Sequence, residues 1–168
     1  MSEAERAPFA PARGGAVGVH LPKDARAMLR ELASSFRRLL TEHTPSSDVS
    51  LQRLFPPAYP DDPLQNLDFE REAGRGLLDQ RLEALDLLIG TADAKRLTID
   101  EAMAWMRALN DMRLVFGSRL NVTEETEPGD FDAADEARTF ELYLLLGWLL
   151  ETLIAALGEP DAVAPRST

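Results

Sequence analysis

The sequence predicts an all-α fold: a single-domain bundle of four to six helices with disordered termini. Three observations carry this expectation. Apolar residues recur every three or four positions over four long stretches. Helix start and stop signals bracket those stretches. Alternating apolar residues, the mark of a half-buried strand, are confined to one short piece at residues 16–21. The 168 residues, 45% hydrophobic and 28% charged, suit one globular unit with a sizeable core.

Residues 1–15 and 159–168, rich in Ala, Pro, Gly and Arg at one end and Pro at the other, read as tails around a helical domain at 16–158. Val17, Val19 and Leu21 suggest an extended lead-in, too short to define a sheet. The first helix begins near Pro22, a residue tolerated in a first turn, with Asp24 at the positive helix end. Ala25, Met28, Leu29, Leu32, Phe36, Leu39 and Leu40 make one stripe, and Pro45 closes the segment.

Residues 44–62 form a long connection, broken by a helical turn at 48–54. The prolines at 56, 57, 60 and 63 exclude a helix there, since each removes a donor and fixes φ. A connection of this length in a compact domain either packs over the surface or has a task. The second helix opens at Asp62-Pro63, with Gln65 placed as a capping partner. Leu67, Leu78, Leu82, Leu85 and Leu88 keep helical spacing as far as Gly90, while Gly74 and Gly76 predict a kink or a junction of two helices. Each glycine weakens a helix interior by about 1 kcal/mol relative to Ala.

The third helix has the clearest start. Thr98 and Glu101 match a capping box, in which each side chain satisfies the other's backbone donor. Ala102, Trp105, Met106, Leu109, Met112 and Phe116 form its buried face, and the helix ends near Gly117 or runs to Asn121, which tolerates a left-handed cap. A polar loop with Pro128-Gly129 leads to a last helix over 132–157, stopped by Gly158 and Pro160. Its central turns are apolar on every side, so either it is central to the bundle or its second face is covered by another subunit.

Composition excludes several functions. Lys and Arg total 18 against 29 Asp and Glu, a net charge of −11, which works against nucleic acid and against anionic membranes. With no cysteine, disulfides, thiol nucleophiles and thiolate metal sites are absent. Residues 1–13 carry Glu3 and Glu5 and no apolar run, unlike a signal peptide. Residues 142–150 are an apolar run between Glu141 and Glu151, well short of the ~20 residues of a membrane span. The expectation is a cytoplasmic protein.

Catalytic and metal chemistry find no support. His20 and His43 have no partner at ligand spacing, and no Glu-x-x-His pair of a di-iron bundle occurs. Asp130, Asp132, Asp135 and Glu136 lack the glycine and spacing of an EF-hand and read as caps of the last helix. Gly14-Gly15 reads as tail, and Gly74-Arg75-Gly76 as a close helix contact or kink. Neither has the lysine of a phosphate loop. No serine lies in a nucleophile elbow. No catalytic residue, metal or cofactor is expected.

Two segments stand out. In residues 109–120, Asn110 and Arg113 flank the apolar stripe, and Arg107 and Asp111 are four apart. Polar groups in such places usually satisfy nearby backbone. The alternative is a binding site using Asn110, Asp111, Arg113 and Arg119, with Gly117 marking the close approach of another backbone. In residues 55–62, Phe55 and Tyr59 either tuck against the bundle to order the connection or offer an aromatic contact to a partner.

The stretches 51–63 and 105–125, containing Leu54-Phe55-Pro56-Pro57 and Leu109-Asn110-Asp111-Met112-Arg113, resemble an actinobacterial domain-of-unknown-function family. The likeness runs over residues 14–157 and takes in the capped third helix and the 143–150 region. Glycine is common in that family where this chain has Asn121, a residue that takes the same left-handed cap. The resemblance implies a helical fold, no established activity, and genes often found near the adaptor of the Clp protease. From the residues themselves the leading expectation is a non-enzymatic interaction, adaptor or regulatory protein with a protein partner, self-associating through the last helix. The alternative is a small-molecule-binding domain or unconventional enzyme with a polar site around Asn110 and Arg113.

Overall fold

The computed structural model describes residues 6–44, 47–55 and 63–158, with side chains in the second helix from Gly76 onward. Helices dominate, but the fold is not purely α. β1 (Phe9–Pro11), β2 (Val17–Val19) and β3 (Arg96–Leu97) form an antiparallel sheet in the order β1-β2-β3. Phe9 pairs with Val19, and Val17 pairs with both Pro11 and Leu97.

This corrects two expectations. Residues 9–15, assigned to a disordered tail, are built into the domain. Phe9 is buried and meets Trp105 edge-on, the ring centroids 6.0 Å apart. Burying an aromatic side chain is stabilising enough to order a short strand that has no helical grammar of its own. Gly14-Gly15 is the turn of this hairpin and not tail: both glycines have φ of +73°, a left-handed conformation that only glycine adopts without strain. A Cβ on Gly15 would also stand 2.8 Å from the Ile99 side chain.

The helices lie close to where the periodicity placed them. α1 (Lys23–Glu42) follows Pro22 and buries Leu29, Ala33, Phe36 and Leu40. A 3-10 turn at Val49–Leu51, capped by Asp48, starts the helical turns expected at 48–54 and buries Leu51 and Leu54. α2 (Pro63–Thr91) runs as one helix through Gly74 and Gly76, so the two glycines are not a junction between two helices. Gly76 faces open space, and a helix accommodates an exposed glycine at modest cost when its other turns pack.

α3 (Ile99–Arg119) starts on the capping box read from sequence: the Thr98 side chain accepts from the Glu101 N–H, and Glu101 accepts from the Thr98 N–H. It ends before Asn121, whose φ of +51° is the left-handed cap. α4 (Ala134–Gly158) buries Phe140, Leu146, Leu149, Leu150, Leu153 and Ala156. By length and composition it is apolar enough to cross a membrane, with 28% of its most apolar 18-residue window buried, and its buried face packs on α3 in the core.

One side chain stitches the sheet to the helices. Arg26, in the first turns of α1, donates to four carbonyls: Val19 of β2 at 3.0 Å, Leu21 at 2.9 Å, and Ala92 and Ala94, in the turn between α2 and β3, at 2.9 and 2.7 Å. The guanidinium fork thus serves all four oxygens at once where the chain changes direction. An ammonium carries three donors on one atom and cannot span four separated acceptors. Arg26→Ala is therefore expected to lower unfolding stability by about 3 kcal/mol, and Arg26→Lys to recover less than half of that, both measured by urea denaturation. Full recovery by lysine would show that charge, and not the fork, is what matters.

Candidate functional site

The polar features cluster on the outer edges of α3. Ala104, Ala108, Asp111 and Val115 recur at steps of four, three and four along it and are all buried. Three of these are small or apolar, and the fourth is a carboxylate. Asp111 is 3% exposed, and its Oδ1 accepts from Nη1 of Arg81 on α2. Nη2 of Arg81 donates to the Leu54 carbonyl at 2.8 Å, and the guanidinium carbon lies 5.4 Å from the centre of the Phe55 ring. One arginine thus joins α2, α3 and the 47–55 segment. The second carboxylate oxygen of Asp111 and Nε of Arg81 are buried without a partner among the described residues. Burial pushes the Asp111 carboxyl above its ordinary range, and the hydrogen bond and charge of Arg81, with the charge of Arg107, oppose that shift.

Around this pair, between α2 and α3, lies a cleft of about 270 Å³. Asn110, Asp111 and Arg107 line it from α3, and Leu77, Gln80 and Arg81 from α2. The candidates read from sequence do not all meet here. Asn110 and Asp111 do. Arg113 turns to α4, its guanidinium 5.7 Å from the Tyr143 ring centre and its Nη1 3.5 Å from the Tyr143 hydroxyl. It remains at 3.5 Å from Asn110 through Nη2. Arg119, at the end of α3, donates to Ser50 Oγ at 3.2 Å and Asp48 Oδ2 at 3.1 Å. Asp48 also accepts from the Ser50 hydroxyl and N–H, and these bonds, the hydroxyl's first, hold its carboxyl below the usual range. Arg119 and Arg81 therefore fasten the two ends of the 47–55 segment.

Phe55 is half-buried against the core. Tyr59 lies outside the described residues. Gly117 is approached by the Tyr143 ring of α4, 3.0 Å from where a Cβ would stand, and not by another backbone. Arg81 was missed in the sequence because an arginine on a leucine-striped helix looks like any solvated position. The only hint was the acid itself, since a carboxylate on a buried stripe requires a donor.

With fold and site described, the comparisons place the chain. Residues 6–157 match the family described as a domain of unknown function, DUF2017, and the chain belongs to that family. No curated protein and no solved structure matches it significantly.

The Arg81–Asp111 pair yields a double-mutant test. Removing one partner strands a buried charge and costs about 3 kcal/mol or more, whereas replacing both with apolar residues is often near neutral. Arg81→Met is expected to destabilise by about that amount in urea unfolding, and Arg81→Met with Asp111→Leu to regain most of the loss. If the two losses simply add, the residues do not act as a pair.

Proposed function

We propose that the protein is a non-enzymatic interaction protein, cytoplasmic in setting, that self-associates through α4. The observation that supports this reading most is the second face of α4. Leu144, Trp148 and Ile154 are exposed large hydrophobics, Trp148 at 51%, on the helix whose opposite face already fills the core. Between α1 and α4 runs a groove of about 730 Å³, lined by Met28, Leu32, Leu142 and Leu145 together with Glu31, Ser35, Arg138 and Glu141. Beside it, sharing Met28 and Leu145, a cavity of about 460 Å³ is lined by Leu21, Ala25 and Trp148 together with Arg6 and His20. Exposed large hydrophobics grouped on one helix favour an interaction site.

A second copy is the occupant this surface favours. The overall charge of −11 opposes association of like chains, but between Glu141 and Glu151 the exposed face carries no charge, so repulsion is weakest there. A two-fold arrangement sets the same patch against itself and buries both tryptophans, the residue type that most often anchors interfaces. The core-packed face of α4 and the two glutamates favour this over insertion into a bilayer.

Sedimentation equilibrium is expected to give twice the chain mass of 18.6 kDa. Leu144→Glu with Trp148→Glu is expected to give a monomer with an unchanged far-ultraviolet spectrum. A wild-type chain that stays monomeric at high micromolar concentration, or that floats with lipid vesicles, contradicts the reading.

A further inference from the structure

We propose that the cavity between α4 and the chain entering α1 binds a free aliphatic monocarboxylate, its head on Arg6 and His20 and its tail against Leu21, Met28, Leu145 and Trp148. This goes beyond self-association and does not depend on it, because one chain supplies the whole lining.

The lining sets the chemistry. A volume of about 460 Å³ lies in the range of small-molecule sites, which are mostly apolar with a few polar groups that fix orientation. Here every lining residue is apolar except Arg6 and His20. Both are exposed, so a ligand reaches them, and neither side chain makes a hydrogen bond or ion pair among the described residues. They come from neighbouring stretches of chain: the His20 N–H donates to the Pro8 carbonyl at 2.8 Å, which carries the β1–β2 pairing on toward Arg6. Arg6 offers a charged fork suited to a carboxylate, and His20 a ring N–H in either protonation state. No acid lines this cavity, although the chain has a net charge of −11. The α1–α4 groove carries Glu31 and Glu141, the groove between α1 and α2 carries Asp79, Glu83 and Asp86, and the α2–α3 cleft carries Asp111. An anion meets a carboxylate in each of those and two donors in this one. An amine would find no acidic partner, and a plain hydrocarbon would leave both donors unused. One fixed cation matches a singly charged head, and the apolar walls match a tail without polar groups.

The test is isothermal titration calorimetry of the full chain with hexanoate, octanoate and decanoate below their micelle-forming concentrations. Octanol, which lacks the charge, and octylamine, which reverses it, are the controls. Saturable binding is expected for octanoate and decanoate, with affinity rising about tenfold from hexanoate to octanoate as two more CH₂ groups leave water. Both controls are expected to bind at least fivefold more weakly than octanoate. Trp148 lines the cavity and Trp105 is fully buried, so binding should also move tryptophan emission to shorter wavelength. Arg6→Ala, at an exposed and unpaired position, is expected to keep the wild-type circular dichroism and to weaken octanoate at least fivefold. Leu144→Glu, outside the cavity lining, separates the two readings: it is expected to remove self-association and to bind octanoate at least as tightly as wild type. Absence of saturable binding, equal binding by octanol or octylamine, affinity independent of chain length, unchanged affinity in Arg6→Ala, or loss of binding in Leu144→Glu overturns the proposal. A wild-type monomer that binds octanoate overturns only the self-association reading.

Discussion

The constraint on which this structure depends is the burial of α3 on more than one side. An amphipathic helix normally hides one stripe and leaves the other in water. α3 packs on α2 and on α4, as well as on α1 and the buried turn at Val49–Leu51. Trp105, Leu109 and Met112 are fully enclosed on one stripe, and Ala108 and Val115 on another. Small residues at Ala104 and Ala108 let a neighbouring helix come close, while Trp105 fills the wider space beneath the sheet, its Nε1 donating to Thr91 Oγ1 at 2.7 Å. With α3 so enclosed, its buried Asp111 takes a partner from α2, and Arg113 and Arg119 reach Tyr143 and Asp48 on neighbouring elements.

Arginine does most of the tying in this fold because its planar fork reaches several acceptors from one side chain. Arg26 gathers carbonyls where strands meet helices, Arg81 joins α2 to Asp111 and Leu54, and Arg119 holds the Asp48 cap. The surface pairs, Arg30 with Asp93 and Arg37 with Asp86, are exposed on both partners and add little. The stabilising electrostatics therefore sit at the joints.

How much of this was legible follows from where the information lies. The four helices were readable because periodicity and caps are local: Thr98 with Glu101, and Asn121, act within a few residues. The sheet was not, because β3 has two residues and pairs with a strand on the far side of α1 and α2. No local pattern in Arg96–Leu97 announces a partner that distant. Phe9 was hidden by its proline-rich surroundings, which read as tail until Trp105 is placed beside it. At the site, Asn110 and Asp111 were legible as polar groups beside an apolar stripe, but their neighbour Arg81 was not. Arg113 and Arg119 share a helix with them and diverge because one turn of helix is enough to send a side chain to a different neighbour.

If the enclosure of α3 organises the molecule, its backbone should open only when the whole domain unfolds. Native-state hydrogen exchange measures this directly. The amides of residues 104–115 are expected to be the slowest in the chain, exchanging with the free energy of global unfolding and with its full denaturant dependence. If those amides exchange through a smaller local opening, while α1 or the buried half of α4 stays protected, then α3 is not the centre of the fold.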